Sequence, residues 1–162
     1  MVAWSATPEA DVRSGSSSAG VRTEYLVDTN VILDVIGADR HFGPGSKDCL
    51  ARCAGSGVLV INPVIYAEVG AVIERIEELN ELLPPGLFRR DDIPWDAAYL
   101  AGCAFRRYRQ RGGTRSRVLA DFLIGAHATT GGMTLITRDQ GYSKHFRIEI
   151  EDPTKPRAND GE

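Results

Sequence analysis

The sequence has little of what marks secreted and membrane proteins. Its three cysteines (Cys49, Cys53 and Cys103) are an odd set without a Cys-x-x-Cys pair. This spacing favours buried reduced thiols, although Cys49 and Cys53 share a helix face on which a metal pair is conceivable. No apolar run approaches the roughly 20 residues that a membrane span needs, and the start lacks a basic leader and a long apolar stretch. We therefore expect a protein of the reducing cytoplasm.

The chain has enough apolar residues for one sizeable core. It contains 162 residues, of which 43% are hydrophobic, and this favours a single globular domain. The first segment is rich in Ser and Gly and has little to bury. We expect a flexible extension over residues 1–22, a folded domain over 23–151 and a polar tail over 152–162.

Strand-like and helix-like segments alternate along the folded part. Short apolar runs predict strands at about 24–28, 58–61, 133–137 and 147–150, with a possible edge strand at 87–88. Helical patterns lie at about 30–37, before Gly55, from 63 to a stop at Pro84, at 95–111 and at 119–129. This alternation predicts an α/β fold, a three-layer sandwich around a mostly parallel sheet.

Positive charge is concentrated in one strip of arginines. The strip lies within twelve residues that contain no acid, which leaves 13 basic against 22 acidic residues, a net charge of −9, for the rest of the chain. Such a strip fits a polyanionic partner, and the alternative is a solvated helix end where arginine complements the helix dipole. Its members are Arg106, Arg107, Arg109, Arg111, Arg115 and Arg117.

Four acidic residues come from segments that end at the same edge of the predicted sheet. Asp28 follows the first strand and Asp139 follows a late one, while Glu68 and Asp121 lie near the starts of two helices. In open α/β sheets, ligands bind outside the carboxyl ends of the strands. An unpaired buried charge there costs several kcal/mol or shifts its pKa, so packing does not explain such a set.

Glu68 discriminates best, because its neighbours Ile65 and Val69 belong to an apolar stripe and a glutamate among them needs a partner. Carboxylates within a few ångströms repel one another, and hard divalent cations bound through oxygen remove that cost. Mg²⁺ or Mn²⁺ suits the set, and zinc suits it less because no His or Cys ligands lie near. Two such ions can activate a water and stabilise a leaving oxyanion, which serves phosphodiester hydrolysis.

Each of these residues also has a simpler interpretation. Asp28 and Asp139 fit loop or N-cap positions, and Asp121 fits a helix start. We expect Thr29 or Asn30 to cap the first helix, and we interpret Asp34 as a helix-end or surface charge.

Four motifs together resemble the PIN-domain nucleases, and among them the VapC-type toxins of bacterial toxin–antitoxin pairs. The motifs are Asp28-Thr29-Asn30, Glu68 in the next helix, Asp121 in a small-residue helix, and Thr137-Arg138-Asp139, and the likeness spans about residues 24–150.

The resemblance implies an Mg²⁺- or Mn²⁺-dependent endoribonuclease, usually a homodimer, that a small antitoxin holds inactive. The implied roles are ion or water binding by Asp28, Glu68, Asp121 and Asp139, with hydrogen-bond support from Asn30 and Thr137. The arginine strip would then grip RNA phosphates. The alternatives are a non-catalytic acidic-pocket signalling domain, which needs a lysine such as Lys144 beside an aspartate pair, and a nucleic-acid-binding module.

Overall fold

Five short parallel strands form the centre of the protein in the computed structural model, which describes residues 20–115 and 119–155. Their order across the sheet is β3-β2-β1-β4-β5, and every described pair of neighbouring strands is parallel. The bounds are β1 Thr23–Val27, β2 Gly57–Ile61, β3 Phe88–Arg90, β4 Thr134–Ile136 and β5 Ile150–Glu151.

Six α-helices among the described residues connect these strands. They are α1 Thr29–Ile36, α2 Gly43–Ser56, α3 Pro63–Gly70, α4 Ile76–Leu82, α5 Trp95–Gln110 and α6 Leu119–Gly131. A 3-10 turn, Gln140–Lys144, follows β4. The α/β fold class with a parallel central sheet is confirmed.

The core lies where helices cover the sheet. The middle strands are buried, as the continuous apolar runs of β1 and β2 require for a parallel sheet. Helix α6 presents small residues to its neighbours, and Gly125 lets the Phe146 ring pack against its backbone, because a Cβ atom there would collide with the ring. The strands therefore meet the helices closely enough to fix the positions of the strand ends.

The strand order creates a switch point between β1 and β4. The chain proceeds outward from β1 through β2 to β3, and it then returns to place β4 on the other side of β1. A crevice opens outside the carboxyl ends of the strands at such a point. Val27 is paired with Ile136, so the residues that follow the two strands, Asp28 and Thr137, are brought side by side.

The prediction of a single helix between residue 63 and Pro84 is wrong, because the chain forms two helices there, α3 and α4. After Gly70, the Val72 and Ile73 amides donate to carbonyls three residues back, which tightens the last turn before the chain changes direction. Gly70 packs against Leu79, which allows α4 to fold back on α3. As a result Val72 is 63% exposed, although it continues the helical spacing of Ile65 and Val69.

The terminal segments of the expected domain plan lie mostly beyond what the structure describes. Residues 1–19 of the extension, residues 156–162 of the tail, and Arg117 of the arginine strip are outside the described residues. In the described part of the chain, no helix combines the length and apolar character that a membrane crossing requires.

Candidate active site

Asp28 is placed by the end of β1 and the start of α1. Its Oδ1 accepts a hydrogen bond from the Thr29 amide at 2.7 Å, so Asp28 itself is the N-cap and the expected cap at Thr29 or Asn30 is wrong. Its Oδ2 accepts from the Thr137 hydroxyl at 2.7 Å and from the Asn30 side-chain amide at 3.0 Å. The carboxylate is buried, and the three groups that donate hydrogen bonds to it are neutral.

The Thr137 hydroxyl joins the ends of β1 and β4. It donates to Asp28, and it accepts from the Asn30 side-chain amide at 3.1 Å and from the Asp139 backbone amide at 3.0 Å. The Asn30 side-chain oxygen, Oδ1, accepts from the Arg138 backbone amide at 3.4 Å. The two residues for which support was expected, Asn30 and Thr137, therefore both contact Asp28.

Glu68 and Asp121 bring two further carboxylates from α3 and α6. Glu68 Oε2 accepts from the Thr29 hydroxyl at 2.5 Å, which supplies the partner that its place beside buried residues requires. Burial raises the pKa of Asp121, and the negative charges of Glu68 and Asp139 raise this pKa further. Asp121 also acts on Asp28, so it is the acid through which the other three are linked electrostatically.

The four carboxylates influence one another electrostatically without forming a compact set of metal ligands. Among the described residues, the three-ligand group whose atoms all lie within 4.8 Å is made by other residues, so the expectation of spacings of a few ångströms throughout is not met. Glu68 is held by Thr29, and Asp139 is exposed, where its Oδ1 accepts from the Gly141 amide at 2.7 Å. Each of these two acids therefore has a local hydrogen-bond partner of its own.

Tyr142 is a residue of this site that the sequence reasoning missed. Its side chain is 4% exposed, and its hydroxyl lies close to the Asp28 carboxylate without making a hydrogen bond of good geometry to any described residue. Burial raises its pKa, and the charges of Asp28, Asp121 and Asp139 raise it further, which places the hydroxyl beside the acids. The spacing offered a clue, because Tyr142 is the third residue after Asp139 and one 3-10 turn brings such positions to the same side.

Burial is the main cause that raises the pKa of Asp28 to about 6, and the charge of Asp121 adds to it, whereas the hydrogen bonds from Thr137 and Thr29 lower it. In the unfolded chain this carboxyl has the ordinary value near 3.8. The folded protein therefore binds a proton at Asp28 more tightly than the unfolded chain does. The charged form of Asp28 therefore lowers the free energy of unfolding. This effect is absent below about pH 4 and complete above about pH 6.

We expect the pH dependence of stability to carry this signature in chelator-treated protein. Asp28 should lower the free energy of unfolding by about 2–3 kcal/mol as the pH rises from 4 to 7. Asp39 and Asp152, whose pKa values are lowered by hydrogen bonds, act in the opposite direction. Denaturant unfolding of wild type and Asp28→Asn in EDTA at pH 4 and pH 7 isolates the Asp28 part. An equal change for both proteins contradicts the assignment.

A second ligand-like cluster lies on α2 and β5. Cys49, Cys53 and Glu151 each place one ligand atom within 4.8 Å of the others, so the structure adds a carboxylate to the thiol pair noted in the sequence. The Arg52 guanidinium donates to Glu151 Oε1 at 2.6 Å and so already pairs with the only charged member. Both cysteines are buried free thiols, in agreement with the expected reduced state.

The arginine strip occupies the last turns of α5 and the loop after it. Its five described members, Arg106, Arg107, Arg109, Arg111 and Arg115, are exposed. No ion pair joins any of these five to an acid within the described ranges. Their charges are therefore available to an anionic partner.

The fold and the site define an α/β protein with an acidic pocket at the switch point of a parallel sheet. The sequence pattern of the PIN domain family matches residues 25–146, and the chain belongs to this family. The family resemblance noted in the sequence is confirmed. No curated protein is similar enough in sequence to match the chain.

Solved structures of bacterial toxin–antitoxin proteins share the fold. The chain is similar to VapBC2 from Rickettsia felis bound to a promoter DNA fragment (19% identity, TM-score 0.63, covering 80% of this chain and 98% of that one). It is also similar to VapBC-1 from nontypeable Haemophilus influenzae (20% identity, TM-score 0.63, covering 82% of this chain and 100% of that one). A third similar structure is that of Mycobacterium tuberculosis VapC20, a Sarcin-Ricin loop cleaving toxin (15% identity, TM-score 0.59, covering 78% of this chain and 98% of that one). At these identities the likeness establishes the fold.

Proposed function

We propose that the chain is a metal-dependent endoribonuclease and the toxin of a type II toxin–antitoxin pair. The observation that supports the proposal is that Asp121 interacts electrostatically with Asp28, Glu68 and Asp139, so that acids from four separate segments influence one another near the switch point between β1 and β4. The VapBC complexes and VapC20, a Sarcin-Ricin loop cleaving toxin, support it, because they share this fold over nearly their whole length.

The donor set fits Mg²⁺ or Mn²⁺. Asp28, Glu68, Asp121 and Asp139 offer oxygen only, and the buried Tyr142 hydroxyl beside them is ready to donate to a ligand oxygen. These four acids would hold the ion or ions, which when bound supply a nucleophilic water and stabilise the departing oxyanion. A cation also offsets the mutual repulsion that raises the pKa of Asp121.

The protein's own residues orient this set. Asn30 and Thr137 fix both the rotamer of Asp28 and the backbone at Asp139, and Thr29 fixes Glu68. The arginine strip attracts the RNA backbone, and single-stranded or looped RNA leaves its bases and phosphates accessible.

The alternative of an acidic-pocket signalling domain requires a lysine beside an aspartate pair, and Lys144 does not take that place. Lys144 lies in a basic pocket with Arg107, Arg111 and His145, and it makes no ion pair with the carboxylate cluster among the described residues. The observed geometry therefore favours the nuclease.

The proposal includes a partner and a location. We propose a small cognate antitoxin, a homodimer, a cytoplasmic location, and residues 23–151 as the nuclease domain. The similar structures of VapBC complexes and of a toxin–antitoxin complex from Klebsiella pneumoniae support the antitoxin. Exposed apolar side chains, Val72, Ile76, Trp95 and Tyr99, offer surface for protein contacts.

The test is RNA cleavage by the purified chain under metal control. We expect a structured RNA to be cut at defined positions in its single-stranded loops with Mn²⁺ or Mg²⁺, to stay intact in EDTA, and to be cut again when metal is restored. Mapping the new RNA ends separates defined cleavage from contamination by metal-independent ribonucleases. Equal rates with and without chelator, or no cleavage with either metal, would refute the proposal.

A further inference from the structure

A basic pocket of about 460 Å³ lies beside the carboxylate site. It is lined by Ala104, Arg107, Tyr108, Arg111, Gly112, Gly113, Lys144 and His145, and so contains no acid. We infer that this pocket is a subsite for one backbone phosphate of the RNA strand that the carboxylates cleave. The inference rests on the proposed function for the identity of the strand.

Helix geometry selects two arginines of the strip for this pocket. Arg107 and Arg111 are four residues apart, so they lie on one face of α5, together with Ala104 and Tyr108. Arg106 and Arg109 lie on other faces of the same helix and do not line the pocket. The strip, which looks uniform in the sequence, is therefore divided in three dimensions.

The wall opposite α5 brings further positive charge from a different element. Lys144 ends the 3-10 turn and His145 follows it. Burial lowers the pKa of His145, and the charges of Arg111, Lys144 and Arg107 lower this pKa further. The helix dipole accounts for cations in the last turn of α5 but not for Lys144, which comes from a different element. Several cations thus converge without a carboxylate, and a bound anion would relieve their repulsion.

The floor of the pocket is a packed structure. The Tyr108 ring lies 5.7 Å from the Phe122 ring and 5.9 Å from the His145 ring, between their centroids. Its hydroxyl accepts from the Arg115 amide at 3.2 Å. A Cβ atom at Gly113 would collide with the ring, so the chain can close over Tyr108 only with glycine at this position.

The pocket is joined to the carboxylates through two short links. Phe122, whose ring centroid lies 4.9 Å from that of His145, directly follows Asp121 on α6. The 3-10 turn runs from its cap at Asp139 past Tyr142 to Lys144. A strand whose scissile phosphate is at the acids can therefore extend a neighbouring phosphate into the pocket, where arginine can bind it through two hydrogen bonds.

The test measures binding without cleavage. A short single-stranded RNA is titrated, in EDTA, into full-length Asp121→Asn protein that carries either Arg107→Ala/Arg111→Ala or the matched pair Arg106→Ala/Arg109→Ala. Both pairs remove two charges from one helix. We expect the pocket pair to weaken binding about tenfold or more. We also expect the pocket pair to reduce the slope of log K against log salt concentration by about 0.7, because one phosphate contact is lost. The matched pair should weaken binding about threefold or less.

His145 provides a second readout that does not depend on affinity. By NMR, its pKa should rise when RNA binds to the otherwise unchanged pocket, and it should already be raised in the free Arg107→Ala/Arg111→Ala protein. Equal weakening by the two pairs, unchanged binding in the pocket pair, or a His145 pKa that RNA does not move would overturn the inference. If binding depends on the pocket but the wild type never cuts RNA, the proposed nuclease activity fails while the phosphate subsite stands.

Discussion

Asp121→Asn is expected to reduce Mn²⁺-stimulated RNA cleavage by about 10³-fold while the protein stays folded. Asparagine keeps the size of the side chain and removes the charge through which Asp121 interacts with Glu68, Asp139 and Asp28. A set that has lost this charge attracts a divalent cation less strongly and positions it less well. The half-buried carboxylate has a raised pKa, so its replacement relieves repulsion and leaves the free energy of unfolding unchanged or slightly higher.

The measurement is single-turnover cleavage of one RNA over a range of Mn²⁺ concentrations, with circular dichroism and denaturant unfolding as the checks on folding. Asp92→Asn is the matched control, because Asp92 is exposed and lies outside the carboxylate cluster. Wild-type rates for Asp121→Asn would remove this residue from the site. If Asp121→Asn unfolds, Glu68→Gln replaces it in the same measurement. We expect Glu68→Gln to stay folded and to lose a similar part of the cleavage rate.

Arg138→Met is expected to lower the free energy of unfolding by about 3 kcal/mol, because it leaves Asp34 as a buried charge without its cation. The guanidinium donates to both oxygens of Asp34, at 2.7 and 2.9 Å, and the Asp34 side chain is only 6% exposed. The same guanidinium stacks over the Phe42 ring, 4.0 Å from its centroid. After the substitution, the Asp34 carboxylate still accepts a hydrogen bond from the Ser46 hydroxyl, which is neutral.

The double variant Asp34→Asn/Arg138→Met separates the lost charge pair from lost packing. It should recover at least 1 kcal/mol relative to Arg138→Met alone, because no buried charge remains. Urea unfolding of the two single variants, the double variant and wild type completes the cycle. A double variant as unstable as the sum of both single variants would show that the ion pair is not what Arg138 contributes.

Much of the fold was predictable because it rests on local chemistry. Buried parallel strands require continuous apolar runs, and Val58–Ile61 is such a run between Gly57 and the Asn62-Pro63 start of α3. The placement of Asp28 and Asp139 at one sheet edge follows from the same rule, since both come directly after strands. The break after Gly70 was not predictable, because the apolar spacing continues through Val72 and Ile73 and only the packing of Gly70 on Leu79 turns the chain.

Pairings between distant residues lay outside the reach of the sequence. Asp34 was interpreted as a surface charge and is buried, because Arg138, 104 residues away, neutralises it. The Thr29 hydroxyl, expected to cap a helix, instead donates to Glu68. Single-sequence patterns carry the period of one element and do not carry the identity of a tertiary partner. The division of the arginine strip also needed the position of Lys144 and His145.

The hydroxyl of Thr137 has a consequence for how the protein fails. Because it holds Asp28, Asn30 and the Asp139 amide at once, and because the Asp28 amide donates to the Ile136 carbonyl at 3.0 Å, the acidic crevice exists only while two central strands remain zipped to their last residue. Fraying of a few residues there would disperse the acids while the distant helices stay intact. Loss of activity on warming should therefore precede global melting.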